Sequence, residues 1–221
     1  MPADTELLTL PEAAVVASVT IRDINRVIDE KILPEHCYSL EGGRHLHVTA
    51  CPLVAFYFRA AKVLTSEERS LLIRRLSTRI GPGKARRPIA RWRKTSRPAD
   101  WIVKDGFLTV SLWEFAKSAE DRHAKLAEAR EAVVEDPHIL DGTPVIRGTR
   151  IPVYDVAASI AAGLSRERIR SAYSGLDERA IELAAIYAEA TPPRGRPRRP
   201  VTLSPGAKMT SERKVARRRI A

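Results

Sequence analysis

Along this chain the pattern of hydrophobic and polar positions changes period several times, and each change marks a predicted element. Thr9-Leu10-Pro11-Glu12 has the spacing of a capping box with proline in the first turn, so a short helix runs to about Val16. Ala17-Ser18-Val19 turns the chain, and Thr20-Ile21-Arg22-Asp23 opens a second helix in the same way. Ile21, Ile24, Val27 and Ile28 share one face of it, leaving Arg22, Asp23, Asn25, Arg26 and Asp29 outward. Leu33-Pro34 stops that helix. Residues 36–40 and 44–48 flank Glu41-Gly42-Gly43 as a β-hairpin, and helices follow over 52–61 and 66–76, the second opened by Thr65-x-x-Glu68.

A second group of elements starts after residue 100. Residues 101–104 and 107–110 flank Asp105-Gly106, a strong short-range hairpin signal, and a helix over 113–134 carries Phe115, Ala119, Leu126, Arg130 and Val133 on one stripe. Then comes DPHILDGTPVIRGTRIPV, residues 136–153. Two short β-branched segments there, 144–147 and 150–153, surround Gly148-Thr149, while Asp141-Gly142 is an earlier turn signal and Pro137, Pro144 and Pro152 set the chain's direction. Three short helices follow. Asp155 caps the first, which ends at Gly163; Ser165 caps the second, with Ile169, Ala172 and Tyr173 inward. After the turn Ser174-Gly175-Leu176, Asp177 starts the third, with Ile181, Ala184, Ala185 and Ala188 on one side.

The expected fold is mainly α with small β-hairpins, in four parts. Residues 1–76 form a helix-turn-helix head with a hairpin wing, and 77–100 a basic linker. Residues 101–190 form a hairpin and long helix followed by a trihelical, helix-turn-helix-like module, and 191–221 a disordered basic tail. The order helix, turn, helix, wing, helix resembles the winged DNA-binding head of MerR-like regulators over roughly the first third of the chain. Asp136-Pro137, the run 142–153 and the three helices after it resemble the domain-of-unknown-function 433 family of antitoxin-like proteins. That second resemblance implies a type II antitoxin whose partner is a PIN-like ribonuclease toxin.

Composition sharpens the division of labour. The chain has 221 residues, 44% of them hydrophobic but only 5% aromatic, so its core is built from Ala, Leu, Ile and Val. Its net charge of +11 is unevenly spread: residues 77–100 carry +7 and 191–221 carry +9, while 1–76 and 101–190 are slightly acidic. Neutral or acidic bodies joined to cationic arms are the pattern of a protein whose arms meet a polyanion or an acidic cleft. The start, Met1-Pro2-Ala3-Asp4, leads into no apolar targeting core, and no run has the length of a membrane span, so a cytoplasmic protein without membrane contact is expected.

The candidate chemistry is binding. On the second helix Arg22, Asn25 and Arg26 are the expected groove readers of double-stranded DNA, since Arg suits guanine edges and Asn adenine; Arg44 in the wing meets phosphate or the minor groove. In the tail, Arg194-Gly195-Arg196-Pro197 has the core of an AT-hook, two arginines around a glycine for a narrow minor groove. Tail arginines such as Arg198 and Arg199 have a second role open to them, plugging the carboxylate-lined metal site of the ribonuclease; a solubilising tail is the third reading. The last helix exposes Glu178, Glu182 and Glu189 against one Arg179, and acidic charge suits a protein partner better than phosphate. Arg147 and Arg150, beside Gly148, are assigned to fixing the entry of the trihelical module. Whether the long helix packs on that module or on a second subunit, as a homodimer, stays open.

His36, Cys37, His45, His47 and Cys51 gather around the wing, but their spacing matches no zinc-finger pattern, and no metal or cofactor is expected. No phosphate loop and no activated nucleophile is present, so no catalysis is expected. The expected function is therefore an antitoxin that inhibits a PIN-like ribonuclease and represses its own operon through its promoter. The alternative is a stand-alone DNA-binding transcriptional regulator without a toxin.

Overall fold

Helices dominate the computed structural model, which describes residues 6–80, 98–106 and 108–193, with three small antiparallel sheets among them. The first strand, β1 (Leu7–Thr9), has no counterpart in the sequence expectation. It pairs with β3 (His45–His47), placing Leu8 opposite Leu46, both fully buried; β2 (Tyr38–Ser39) lies on the other edge of β3. The expected hairpin is therefore two strands of a three-stranded sheet ordered β1-β3-β2.

Helix α1 (Leu10–Ala17) starts where expected. The Glu12 carboxylate accepts from the Thr9 N–H and hydroxyl, both at 2.9 Å. Its buried face, Ala13, Ala14, Val16 and Ala17, is small, so neighbouring helices approach closely. Ser18, left-handed at φ 54°, closes it. Thr20 then caps α2 (Ile21–Asp29): its hydroxyl accepts from the Asp23 N–H at 3.1 Å and its N–H donates back to the Asp23 carboxylate at 3.0 Å. Ile24, Val27 and Ile28 are buried as expected, but Ile21 is exposed. As the first helical residue, its side chain tilts back over the preceding turn and misses the core.

Helix α3 (Cys51–Arg59) is buried at every position from Cys51 to Tyr57, because α1 and the helices over 66–80 and 113–131 enclose it. The expected Thr65–Glu68 box opens α4 (Ser66–Ile80), whose buried Leu72, Ile73 and Leu76 close this side of the core. Residues 81–97, most of the expected linker, lie outside the described residues.

The hairpin of β4 (Ile102–Asp105) and β5 (Leu108–Ser111) forms as the Asp-Gly signal predicts, but one step later. Asp105 pairs with Leu108, so Gly106, at φ 57°, opens the loop. Trp101, Val103 and Leu112 are fully buried in the same core as α1–α4. Along that core runs α5 (Trp113–Glu131). Phe115 meets Phe56 edge to face at 5.8 Å, and Arg122 Nε donates to the Val16 carbonyl at 2.7 Å. The helix ends short of the expected residue 134 because β6 (Val133–Val134) leaves it to pair with β7 (Val145–Ile146).

Around Gly148 the expected hairpin is reduced to a bridge between Val145 and Pro152 and a bond from the Ile146 N–H to the Ile151 carbonyl at 3.0 Å. Pro144 and Pro152 have no N–H to donate to a ladder, and the free side of β7 is taken by β6. Arg147 acts as expected of it: its Nε donates to the Glu131 carbonyl at 2.7 Å, satisfying the end of α5 and tying the run to that helix. Helix α6 (Val153–Ala161) is capped by Pro152, so Asp155 sits in the first turn and not at the cap. Ser165 caps α7 (Arg166–Ala172) and Asp177 caps α8 (Glu178–Ala190), as expected. A second core of Val133, Ile146, Val153, Val156, Ile169, Ile181 and Tyr187 joins these helices, and α8 also packs on α1 and α5. Ala172, expected inward, is exposed.

Candidate functional site

The outward face of α2 and the β2–β3 turn form one polar surface. Arg44, just before β3, donates to the Asn25 side-chain oxygen at 2.7 Å and forms an ion pair with Asp29 at 2.8 Å. The Asn25 amide group in turn donates to the Ile21 carbonyl at 3.1 Å, which fixes the direction of its oxygen. One turn along, Arg26 pairs with Glu30 at 2.9 Å, and its guanidinium is held more firmly protonated by that hydrogen bond. Arg22 lies exposed at the start of the same helix. Four residues singled out for DNA thus share one surface, and two of them touch.

The charge of this surface is nearly balanced. Arg22, Arg26 and Arg44 stand against Asp29 and Glu30, while the Asp23 carboxylate is occupied by the cap of α2. Such exposed pairs add little to stability, because water and salt screen them, so either arginine can exchange its partner at small cost.

The acidic helix divides differently. Glu178 is exposed and reaches Arg166 at 3.2 Å. Glu182 joins α8 to α5 through Lys125 at 2.7 Å and also accepts from Arg179 at 2.8 Å; these two bonds hold its carboxyl below the ordinary range. Arg179 extends the chain of pairs to Glu128. Glu182 therefore serves an internal joint, which the spacing along α8 could not reveal. Arg194, Arg196, Arg198 and Arg199 lie outside the described residues.

Around the β2–β3 turn, Cys37 and Cys51 are buried free thiols. Burial pushes Cys37 up to about 12 and Cys51 higher still, so neither is a thiolate at neutral pH. Among the described residues no group of three or more His, Cys, Asp or Glu is placed to hold a metal ion.

Two polar clusters went unseen in the sequence. The Glu6 carboxylate lies 2.9 Å from His123 Nε2 and accepts from Arg130 at 3.2 Å, and Arg130 also reaches Glu12 at 2.7 Å, pinning β1 and α1 to α5. Arg122 and, from the end of α3, Arg59 line one groove. Both clusters join segments far apart in sequence, so no local spacing announces them.

A relative of nearly full length settles kinship. The "Uncharacterized protein y4eO" of Sinorhizobium fredii (strain NBRC 101917 / NGR234) is 52% identical over 219 residues, covering 99% of this chain and 97% of the relative. This chain belongs to the same family. The model of "Protein of unknown function (DUF433)" matches residues 133–188, from the start of β6 into α8. The DUF433 segment is thus the module of the second core, without the head. A crystal structure of Rv2018 from Mycobacterium tuberculosis is 20% identical, covering 80% of this chain and 95% of that one at a TM-score of 0.34, a level from which no shared architecture follows. Among the described residues no helix is long and apolar enough to cross a membrane.

Proposed function

We propose that the protein is a promoter-binding regulator of the antitoxin type, with α2 as its groove-reading helix and the β2–β3 turn as a wing. The observation that carries this reading is the Arg44–Asn25 hydrogen bond, which joins helix and turn in one surface on which Arg22 and Arg26 are also exposed. The arginines have the donor pattern for guanine edges, and the exposed ion pairs open at small cost when phosphate arrives. Asn25, expected to read adenine, has its amide engaged by Arg44 and the Ile21 carbonyl and so positions the turn. The basic segments, +7 over 77–100 and +9 over 191–221, supply further phosphate contacts.

Fluorescence anisotropy with a duplex from the protein's own upstream region tests it. Three head arginines alone imply a log–log salt slope of about −2.7, steeper with the arms engaged. Arg22→Ala with Arg26→Ala weakens binding about tenfold or more, and Asp29→Asn, which removes a competitor for Arg44, tightens it. Unchanged affinity in both variants would overturn the assignment of α2.

The antitoxin half rests on the DUF433 segment and on Glu178 and the tail, with a PIN-like ribonuclease as partner. The alternative, a stand-alone regulator, gains from one observation: Glu182 is engaged by Lys125 and Arg179 and so is not displayed for a partner. Co-purification from the native host separates the two. A metal-dependent ribonuclease retained by the full chain, and lost on removal of residues 191–221 or in Glu178→Lys, supports the antitoxin; its absence supports the regulator.

A further inference from the structure

A groove of about 860 Å³ runs between the head and the DUF433 module. Val15, Phe58, Ile160, Leu164, Ile181 and Ile186 give it an apolar lining, with Ile160 and Leu164 each 36% exposed. Volume and lining are those of a site for a small organic molecule, which typically fills roughly 300–1,000 Å³.

Its charged residues are unequally satisfied. Lys125 is paired with Glu182 and Arg166 with Glu178; the Asp23 carboxylate is taken up by the Thr20 cap. Glu189 lines the same groove from the far end of α8. Neither Arg59 nor Arg122 takes part in the ion pairs formed among the described residues, and the Asp121 carboxylate beside Arg122 in sequence offsets its charge only in part. Arg122 is half-buried, and its Nε is committed to the Val16 carbonyl at 2.7 Å, which fixes the guanidinium plane and leaves its two terminal nitrogens for another acceptor. Burial first, and then the like charge of Arg59, make the protonated state of Arg122 harder to keep than in water. Two adjacent cations at the edge of an apolar groove meet their electrostatic need with an anion.

We propose that this groove is a binding site for a small carboxylate with an apolar body, the carboxylate held by Arg59 and Arg122 and the body against Phe58, Ile160 and Leu164. The chain's own tail has the wrong sign for this place, since residues 191–221 carry +9. A neutral molecule would bring the two guanidiniums no opposite charge. Capture of the carboxylate requires neither DNA nor a toxin.

The test is calorimetric titration of the full chain with octanoate, 2-naphthoate and the uncharged 1-octanol. At least one of the carboxylates binds saturably at a single site, and 1-octanol binds about tenfold more weakly or less, as expected when a charge-assisted hydrogen bond is removed. Arg59→Ala, an exposed position at a helix end, weakens the carboxylate by about the same factor, with the thermal melt unchanged. Leu164→Glu weakens it further by placing a like charge at the mouth. Failure of both carboxylates to saturate overturns the proposal, as does 1-octanol binding equally well or Arg59→Ala without effect. Arg122→Lys, which keeps the charge and loses the fork, gives an independent reading, and full affinity there removes Arg122 from the site.

Discussion

The two cores of this protein are built to different standards. The head core holds Trp101, Tyr57, Phe56, Leu8, Leu46, Leu53 and Leu72, each at most 2% exposed, and α3 runs through it with no solvent face over Cys51–Tyr57. The DUF433 core is thinner: α7 buries Ile169 alone, α6 buries Val153 and Val156, and Tyr187 is buried with its hydroxyl donating to Glu135 at 2.7 Å. What the module lacks in its own interior it finds by leaning. Helix α8 packs on α1 and α5, Ile186 touches both cores, and Ala190 is part of the first. A small unit buries too little surface to be stable alone, so the segment matched by a family model need not be an independent folding unit.

The comparison breaks first at Trp101. Trp101→Ala empties a fully buried site that ties the β4–β5 hairpin to the head and costs about 3–5 kcal/mol in urea unfolding, carrying both cores with it. Ile169→Ala, in the thin core, costs about 2–5 kcal/mol. If the module leans on the head as described, urea unfolding of that variant by fluorescence and by circular dichroism stays coincident. Two separated transitions would make it a free-standing domain. Caps sharpen the same question at smaller scale: Thr20→Ala in the head and Asp177→Ala in the module each lower stability by about 1 kcal/mol, and both shift one common midpoint.

The smallest effect is that of pH. The His123 ring 2.9 Å away and then the Arg130 guanidinium hold the Glu6 carboxyl below its ordinary value of 4.5 against the opposing pull of burial. A depressed carboxyl stabilises the fold above that ordinary value, and the contribution disappears as pH falls through the lower folded value. The melting temperature of the parent therefore drops more steeply below about pH 4.5 than that of Glu6→Gln, and parallel profiles would remove Glu6 from the lock between β1 and α5.

Much of the fold was legible because its signals are local. The caps at Thr9, Thr20, Thr65, Ser165 and Asp177 each act over three residues, and the hairpin after Trp101 needs only Gly106 and its flanks. Where the local signal was ambiguous, reading by pattern slipped by a residue or two. Ile21 followed the apolar period yet faces water, Asp155 had a capping residue type yet Pro152 holds the cap, and the β-branched run 150–153 found β7's pairing edge already taken.

By itself, then, the sequence determined that the helices follow in this order and where most of them begin, where the chain turns, and that its cationic excess lies in two segments of residues 77–100 and 191–221. These depend on neighbours three or four positions apart, or on composition alone. Only the tertiary structure decided that Leu8 lies against Leu46, that Arg44 meets Asn25, that Glu182 is spent on Lys125, and that Arg59 and Arg122 stand together at a groove. Those meetings depend on where distant segments return, and that is set by the packing of whole helix faces.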